Sequence, residues 1–381
     1  MHTVLVHDWL YTYMGSEKVM EAILHCLPVA AIYTTVDFLP PEKRAFLQGL
    51  PVRPSFLQKL PGARAFRRYY LPLMPLAVES FDLSAADLVI SSSSAVAKGV
   101  LTHGQQLHIC YCYTPARYAW DLTHQYLAAA GLDRGLRSLA ARLVLHYLRL
   151  WDVANTPRVD HFITSSRHIA RRLWHLYRRR STVIHPPIEV ERFTPKTAKE
   201  DFYLTVTRLE SYKRVDLIVE TCARLGRKLV VVGDGPELKK IKAKANPGIE
   251  VLGYQPDTVV EDLMQRARGF IFAAEEDFGI ALVEAQACGT PVIAYGRGGA
   301  RETVRGVWPG ERAAPDTTGV FFPEQSSRSL AAALAHFERL RADIDPAACR
   351  ANAVRFSRER FEGEFSRFVQ ARWEAFRASR R

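Results

Sequence analysis

Short apolar runs alternate with longer amphipathic stretches along the whole chain. In the first half, the short runs predict strands and the amphipathic stretches predict helices. The predicted strands are 3–7, 30–35, 87–91, 108–112 and 160–165, and the predicted helices are 17–26, 134–154 and 167–179. Ser16 is the predicted N-cap of the first helix. This alternation with short loops is typical of a parallel, doubly wound sheet.

The second half repeats the alternation more regularly. The predicted strands are 202–207, 228–232, 249–252, 269–273 and 291–295, and the predicted helices are 214–225, 235–245, 258–267, 280–288 and 357–378. Between the halves, the sequence Val-Ile-His-Pro-Pro-Ile at 183–188 places two prolines in a stiff connector. We therefore predict α/β domains at 1–183 and 184–356, followed by a C-terminal helical segment at 357–381.

Composition and charge narrow the class of protein. The chain has 381 residues, and its 52 Lys and Arg against 40 Asp and Glu give a net charge of +12. This excess of positive charge indicates an anionic partner. Alternatively, the arginines only lie on the solvent-exposed faces of helices. The six cysteines are dispersed, so a disulfide framework is not expected. The apolar runs are far shorter than the ~18 residues of a membrane span, and no signal peptide precedes the first strand, so we expect a cytosolic protein.

The stretch 274–294 carries the most informative chemistry. It predicts a strand end, a loop with Glu276, a helix with Glu284, a glycine stop and the next strand. Gly279 would let the backbone approach a ligand closely. Carboxylates in such a loop and helix suit hydrogen bonds from sugar or ribose hydroxyls better than a glycosidase acid and base pair.

The Glu-x7-Glu element at 276–284 resembles that of the retaining GT-B glycosyltransferases of family 4. Further resemblances lie at 207–214, 232–236 and 298–302, and segments 91–99 and 111–121 resemble a bacterial branch with mannosyltransferases of O-antigen and exopolysaccharide assembly. The resemblance implies a GT-B fold, in which two Rossmann-like doubly wound domains face a central cleft. It also implies acceptor binding by the first domain, nucleotide-sugar binding by the second, and a C-terminal helix that crosses back onto the first.

The resemblance further assigns residues to the site. Arg208 and Lys213 would stabilise the leaving diphosphate, and Glu276 would orient the donor sugar as the third catalytic residue. Glu284 would hold the ribose hydroxyls. Donor binding would also involve Gly15, Gly253, Tyr254, Phe278, Gly279 and Ile280. The acceptor-side candidates are Tyr113, Arg117, Trp120 and Asp121, although Trp120 could equally be a packing residue.

Two positions depart from the family pattern. Met14 stands where the family usually has the first of two glycines, so close backbone approach is expected at Gly15 only. Tyr113 stands where the family often has a histidine, and a tyrosine hydroxyl is a different acid and base. Transfer in which the departing phosphate takes the acceptor proton would not need a protein base. Nearby His108 and His124 are expected to be structural or surface residues.

Two basic segments suggest partners. Segment 53–78 holds five basic residues, interleaved aromatic and aliphatic residues and no acid until Glu79, which suits an anionic membrane surface. It could instead be a helical excursion packed on the first sheet. Nucleic acid is disfavoured because no nucleic-acid motif accompanies it. A second run at 167–180 contains six arginines and could contact anionic lipid, contact an acceptor diphosphate or form a solvated helix.

Together these features predict a retaining, metal-independent hexosyltransferase without a cofactor. We expect it to move mannose from GDP-mannose onto a lipid-linked saccharide, at the inner face of the cell membrane. The alternatives are a UDP- or dTDP-sugar donor, a nucleotide-sugar epimerase, or a non-catalytic nucleotide-sugar-binding protein of membrane-associated assembly.

Overall fold

The computed structural model describes residues 1–65 and 67–380. The chain divides into two compact units, one formed by Met1–Pro186 with the C-terminal residues from Phe361 onward, the other by Pro187–Arg360. The domain boundaries predicted from the sequence lie at 183/184 and 356/357, whereas the units divide at 186/187 and 360/361. We call them unit 1 and unit 2.

Unit 1 is built on a seven-stranded parallel sheet. Its strands are β1 Thr3–His7, β2 Val29–Thr34, β3 Val52–Pro54, β4 Leu88–Ser93, β5 Leu107–Cys112, β6 His161–Thr164 and β7 Ser181–Val183. Its helices are α1 Gly15–Cys26, α2 Met74–Glu79, α3 Thr123–Ala129, α4 Gly135–Ala154 and α5 Arg167–Tyr177. The strand order is β3-β2-β1-β4-β5-β6-β7. β1 lies inside the sheet, between β2 and β4, and all five of its residues are buried.

Two predictions for unit 1 need correction. The edge strands β3 and β7 were missed because each has only three residues and no apolar run (Val-Arg-Pro and Ser-Thr-Val). Helix α1 starts at Gly15, with Met14 at the N-cap position, and not after a Ser16 cap. The Met14 amide donates to Glu17 Oε2 at 2.9 Å, so a glutamate in the first turn satisfies the helix start.

Unit 2 has a second seven-stranded parallel sheet. Its strands are β8 Tyr203–Val206, β9 Leu229–Val232, β10 Ile249–Gly253, β11 Gly269–Phe272, β12 Val292–Tyr295, β13 Gly306–Val307 and β14 Gly319–Phe322. Its helices are α6 Val215–Arg224, α7 Leu238–Lys244, α8 Asp257–Arg266, α9 Ile280–Ala287, α10 Ala300–Thr303, α11 Ser327–Leu340 and α12 Pro346–Val354. The strand order is β10-β9-β8-β11-β12-β14-β13.

Five of these seven strands are predicted from the sequence, whereas β13 and β14 are not. β13 has only two residues, while β14 is a fully buried Gly-Val-Phe-Phe segment, too short to show a period. Gly319 of β14 pairs with Val292 of β12, which extends the sheet beyond the last predicted strand.

The C-terminal helix α13, Arg358–Ala378, returns to unit 1. Phe361, Phe365 and Val369 are buried in the unit 1 core, beside Leu5 of β1 and Ile109 of β5. The predicted return of the chain onto the first domain is confirmed, and the buried aromatic side chains explain why the helix packs there.

Candidate functional site

The order of strands in unit 2 reverses between β8 and β11. The chain runs outward through β8, β9 and β10, and then returns to β11 on the other side of β8. In open parallel sheets, ligands bind outside the carboxyl ends of the strands at such a reversal. Lys213 follows β8 in the turn Ser211–Lys213, and Glu276 follows β11. Their side chains meet there, with Lys213 Nζ 2.5 Å from Glu276 Oε1.

Lys213 is held in a mostly buried position. It is 8% exposed, and its ammonium lies 5.0 Å from the ring centroid of Tyr212 and 5.7 Å from that of Phe272. Aromatic faces attract a cation, but a buried ammonium also needs an opposite charge. Glu276 supplies that charge and fixes the ammonium at the sheet edge.

Arg208 has a different environment from Lys213. Its side chain is 58% exposed, and Nε lies 3.1 Å from Glu210 Oε1. The backbone on either side of Arg208 packs on the glycine turn after β9, where Leu209 N donates to Asp234 O at 2.9 Å. Gly233 is required in this turn, because a Cβ there would lie 1.9 Å from the Thr207 carbonyl oxygen. The predicted Arg208 and Lys213 pair therefore consists of one accessible and one buried cation.

A second glycine turn supports the Glu276 loop. The Gly299 amide donates to the Glu276 carbonyl at 2.7 Å. Gly298 has φ +64°, and a Cβ on it would lie 2.3 Å from the same carbonyl oxygen. The segment 298–302, which the resemblance includes, thus contacts the backbone of the predicted catalytic glutamate through its glycines.

Helix α9 begins next to this loop. Gly279, with φ +92°, occupies the N-cap position, and Ile280 is the first helical residue. Phe278 is buried against Phe356, with ring centroids 5.4 Å apart. Glu284 is half-buried about one turn into the helix. The structure therefore places Glu276, Gly279 and Glu284 along one loop and helix start, where N–H groups and the helix dipole favour anions.

Two of the predicted donor-binding residues, Gly253 and Tyr254, are at the end of β10. Gly253 ends that strand with φ +72°, and its carbonyl accepts from Gly233 N at 2.8 Å. Tyr254 follows and is 73% exposed. The carboxyl ends of β9 and β10 are thus joined by the same glycine turn that contacts residues 207–209.

Unit 1 has a comparable reversal between β1 and β4, and a residue that the sequence analysis missed lies there. Asp8 directly follows β1 and is buried. Its carboxylate accepts from the amides of Ser94, Ala95, Val96 and Ala97 at 2.5–3.0 Å. These amides follow β4, so Asp8 fixes the conformation of the serine-rich segment. The position of Asp8 directly after a predicted strand is the feature of the sequence that could have identified it as a candidate.

A buried polar network surrounds the start of α1, to which Gly15 belongs as the first residue. His7 Nδ1 lies 2.9 Å from Ser92 Oγ, and its Nε2 lies 3.5 Å from Glu17 Oε1. Burial alone would raise the pKa of Glu17, but its interactions with His7 and the Met14 amide shift that pKa downward overall. The sequence does not predict the His7 and Glu17 pair, because this contact depends on how α1 packs against β1.

Tyr113 belongs to the same network. Its hydroxyl donates to the Ser16 carbonyl at 2.9 Å and lies 2.9 Å from Ser92 Oγ. Burial raises the pKa of Tyr113 well above its usual range, so the phenol remains neutral. The hydroxyl therefore ties the loop after β5 to the first turn of α1.

The other acceptor-side candidates form two clusters within unit 1. Arg117 Nε lies 3.7 Å from Asp121 Oδ2, and Arg172 Nη2 of α5 lies 3.0 Å from the same oxygen. The Trp120 indole N–H donates to Asp152 Oδ2 at 2.7 Å, and Asp152 forms a buried ion pair with Lys98. Trp120 thus has a packing and hydrogen-bonding role, which the sequence left open.

His108 is structural, as the sequence analysis expected. It is fully buried, with Nε2 2.8 Å from Ser91 Oγ and Nδ1 2.9 Å from the Arg158 carbonyl. Burial lowers the pKa of His108 to about 4.

The basic segment 53–78 is partly a core element. Leu57, Met74 and Val78 are buried in unit 1, whereas Tyr69 and Leu76 are exposed. Phe66 and the side chains of Arg67 and Arg68, which the membrane prediction includes, lie outside the described residues. Of the helices in residues 1–65 and 67–380, none combines the length and apolar character needed to cross a bilayer.

The predicted metal independence of the reaction stays a prediction. The chain has one Asp-x-Asp sequence, Asp343 to Asp345. Asp345 is the N-cap of α12 and accepts from the Ala347 amide at 2.8 Å. Within the described part of the chain, no group of three or more His, Cys, Asp or Glu side chains could hold a metal ion.

Comparison with known proteins gives a family match within unit 2. Residues 187–355 match the family model of the glycosyl transferases group 1. D-inositol 3-phosphate glycosyltransferase of Geodermatophilus obscurus is 32% identical over 158 residues, which covers 33% of this chain and 35% of that protein. The putative colanic acid biosynthesis glycosyltransferase WcaL of Escherichia coli is 26% identical over 203 residues, covering 48% and 47%. The chain thus matches less than half the length of these relatives.

Solved structures cover nearly the whole chain. HepE of Anabaena in complex with UDP has a TM-score of 0.69 at 15% identity, over 97% of this chain and 100% of that one. A glycosyltransferase of Rickettsia africae has a TM-score of 0.59 at 14% identity, over 98% of both chains. The predicted GT-B arrangement of two Rossmann-like α/β domains is confirmed at the level of fold. Residues 187–355 are therefore similar to the glycosyl transferases group 1, and the chain as a whole has the fold of solved glycosyltransferases.

Proposed function

We propose that the protein is a retaining, metal-independent glycosyltransferase that moves a hexosyl group from a nucleotide sugar to an acceptor of polysaccharide biosynthesis. The observation that carries this proposal is the ion pair of Lys213 and Glu276 at the strand reversal of unit 2. Both residues lie within the segment that matches the glycosyl transferases group 1.

The ion pair suits the departure of a nucleoside diphosphate. As the bond between the anomeric carbon and the phosphate oxygen breaks, negative charge grows on that oxygen. A preorganised cation stabilises this charge, and Lys213 is already held in place by Glu276 and two aromatic rings. Arg208, which is accessible on the same loop, would contact the phosphates as a planar fork.

The carboxylates would bind the sugar parts of the donor. One oxygen of Glu276 accepts from Lys213, and the carboxylate has further acceptor sites for a hydroxyl of the transferred sugar. Glu284 would accept from the ribose hydroxyls. The acceptor hydroxyl oxygen then bonds to the anomeric carbon on the face that the phosphate leaves, and its proton passes to the departing phosphate. This step requires no protein base, so it is compatible with a tyrosine, Tyr113, at the position where the family often has a histidine.

Two classes of nucleotide sugar are candidate donors. The sequence resemblance favours GDP-mannose. Solved structures of HepE contain UDP and UDP-glucose, which supports the alternative of a UDP-sugar donor. The proposed acceptor is a lipid-linked saccharide at the inner face of the cell membrane, contacted in part through segment 53–78. The name of WcaL supports a role in polysaccharide assembly, and that of the inositol phosphate relatives supports a small phosphorylated acceptor.

The test is a thermal-shift panel followed by a transfer assay. GDP, UDP, ADP and dTDP and their sugars are added to the full chain with and without EDTA, because a ligand that binds only the folded state raises the melting temperature. A selective shift with GDP-mannose that EDTA does not change supports the mannosyl donor. A selective shift with a UDP- or dTDP-sugar identifies that sugar as the donor instead and leaves the proposed transferase activity unchanged.

The transfer assay separates catalysis from binding alone. Extracted lipid-linked glycan and the donor identified above are incubated with wild type and Glu276→Ala. Transfer by wild type that the variant loses excludes the non-catalytic alternative. Binding without transfer to any acceptor, or release of an epimerised donor, would contradict the proposal.

A further inference from the structure

Helix α4 has a row of exposed apolar side chains. Five large residues are between 46% and 86% exposed, namely Leu136, Leu139, Leu143, Tyr147 and Leu150. They follow each other at spacings of three or four residues, so they lie on one face of the helix. At 1.5 Å per residue, this row, called the leucine stripe below, is about 20 Å long.

The leucine stripe is not the face by which α4 packs on unit 1. Leu145 and Leu148 are buried on the other side of the helix, in a cluster with Ala116, Ala119 and Leu127. The helix is therefore apolar on two sides, of which unit 1 covers one. An apolar row of this length, rimmed by polar residues, marks an interaction surface and not a scatter of surface leucines.

The charges on α4 indicate which kind of partner binds its exposed apolar face. Arg137 and Arg142 are exposed and Arg149 is half-buried, while the one acid in the helix, Asp152, is buried in an ion pair with Lys98. If a second copy docked on this face about a twofold axis, arginines of both copies would be brought together without acids from the same helix. Anionic lipid headgroups complement them, and acyl chains take up the leucines.

The surroundings of α4 add to the same surface. Leu71, which belongs to the basic segment 53–78, packs against the cluster that holds Leu145 and Leu148. Near Leu71 in sequence, Tyr69 is 80% exposed and Leu76 is 58% exposed. The basic segment is thus in contact with the buried side of α4, and both elements present apolar groups to solvent.

We infer that the leucine stripe of α4, with its flanking arginines, docks unit 1 flat on an anionic lipid bilayer. This inference rests on the proposed function, because the proposed lipid-linked acceptor is what requires a location at the membrane. The surface itself lies on unit 1 and can be tested without a transfer reaction.

The experiment is flotation of the full chain with vesicles. One set contains phosphatidylcholine with phosphatidylglycerol and the other phosphatidylcholine alone. Wild type should float with the anionic set only. The triple variant Leu139→Gln/Leu143→Gln/Leu150→Gln should lower the partition coefficient by about a thousandfold, since each buried leucine contributes about a factor of ten. Arg137→Gln/Arg142→Gln should reduce the preference for anionic vesicles.

Controls separate docking from folding and from catalysis. Leu101→Gln changes an exposed leucine of unit 1 outside α4 and should leave flotation unchanged. Melting temperatures and nucleotide-sugar binding should be the same in all variants, because the leucine stripe is exposed and the predicted donor residues of the strand reversal lie in unit 2. A failed donor panel with intact flotation would therefore count against the proposed function only.

Three results would overturn the inference. The first is that wild type fails to float with anionic vesicles. The second is that the triple leucine variant floats as well as wild type. The third is that sedimentation shows a dimer that the leucine substitutions dissociate, which would assign the stripe to a second copy of the chain.

Discussion

Lys213 and Glu276 approach each other from different loops of unit 2, and their charged groups are 2.5 Å apart. Lys213 follows β8 and Glu276 follows β11, the two neighbouring strands at which the direction of the sheet reverses. The chain separates the two residues by 63 positions, so the pair depends on the order of strands. Loss of either partner leaves the other without its opposite charge.

We predict that Glu276→Gln lowers the rate of sugar transfer by about a hundredfold, the usual cost of losing one electrostatic contact in a transition state. The glutamine keeps the size of the side chain but leaves the buried ammonium of Lys213 without its carboxylate. Lys213→Met should produce a comparable loss. Steady-state kcat and kcat/KM with the donor found in the thermal-shift panel measure the effect.

Glu338→Gln is the matched control for Glu276→Gln. Glu338 also lies in unit 2, has a similarly exposed side chain and pairs with a cation, Arg227, at 2.7 Å. Its substitution should change the melting temperature without changing transfer. Equal loss of transfer in the two variants would mean that the effect of Glu276 is structural.

The second prediction concerns Gly298. Alanine at this position would have φ +64° and a Cβ 2.3 Å from the Glu276 carbonyl, so the Glu276 loop must move. We expect Gly298→Ala to raise the KM for the donor and to destabilise unit 2 by more than the ~1–2 kcal/mol of left-handed strain alone.

Gly226→Ala is the control variant, because it introduces the left-handed backbone strain without the steric clash. Gly226 has φ +63°, and no atom lies within 4 Å of the Cβ that alanine would add. Thermal melting and donor KM of the two variants are compared directly. If both glycine variants show the same destabilisation and an unchanged KM, the contact between the glycine turn and the Glu276 loop has no role in donor binding.

Apart from β14, the strands that lie inside the sheets were predicted from the sequence, and the reason is visible in their burial. β1 and β9 are buried along their whole length and have apolar centres, because helices cover both faces of a parallel sheet. The edge strands β3, β7 and β13 have two or three residues and lack that signal.

Side-chain partners could be predicted only in part. The sequence placed Lys213 and Glu276 each at a strand end, but not in contact, because contact depends on which strands are neighbours. Asp8 illustrates the same limit, since its four amide partners lie more than 80 positions away. The sequence could not decide whether Trp120 is a packing residue or an acceptor-binding residue. Its hydrogen-bond partner, Asp152, lies on α4, and only tertiary packing brings the two together.

The third prediction is a pH dependence of stability that arises from His108. Burial lowers the pKa of His108 to about 4, whereas an unfolded histidine has a pKa of about 6.5. Between these values the unfolded chain binds a proton that the folded chain does not, so stability falls as the pH falls through this window. From about pH 7.5 to about pH 5, this group should cost about 2 kcal/mol.

The measurement compares wild type with His108→Gln by chemical denaturation across that pH range. Carboxylates titrate in both proteins, so the difference between the two curves isolates the histidine. The variant should be less stable at neutral pH, since it disrupts the bonds to Ser91 and Arg158, and the gap should narrow on acidification. A gap that stays constant with pH would refute the assignment.

The final prediction concerns Asp8, whose buried carboxylate accepts four consecutive amides after β4. Asp8→Ala leaves those N–H groups without an acceptor, at about 1–3 kcal/mol for each that water cannot reach. We expect unit 1 to lose at least about 3 kcal/mol of stability, with faster hydrogen exchange at Ser94 to Ala97. Asp133→Ala, at an exposed loop position, should leave both measurements unchanged. Because Asp8 lies at the strand reversal of unit 1, slow exchange that persists in Asp8→Ala would show that packing alone fixes the segment.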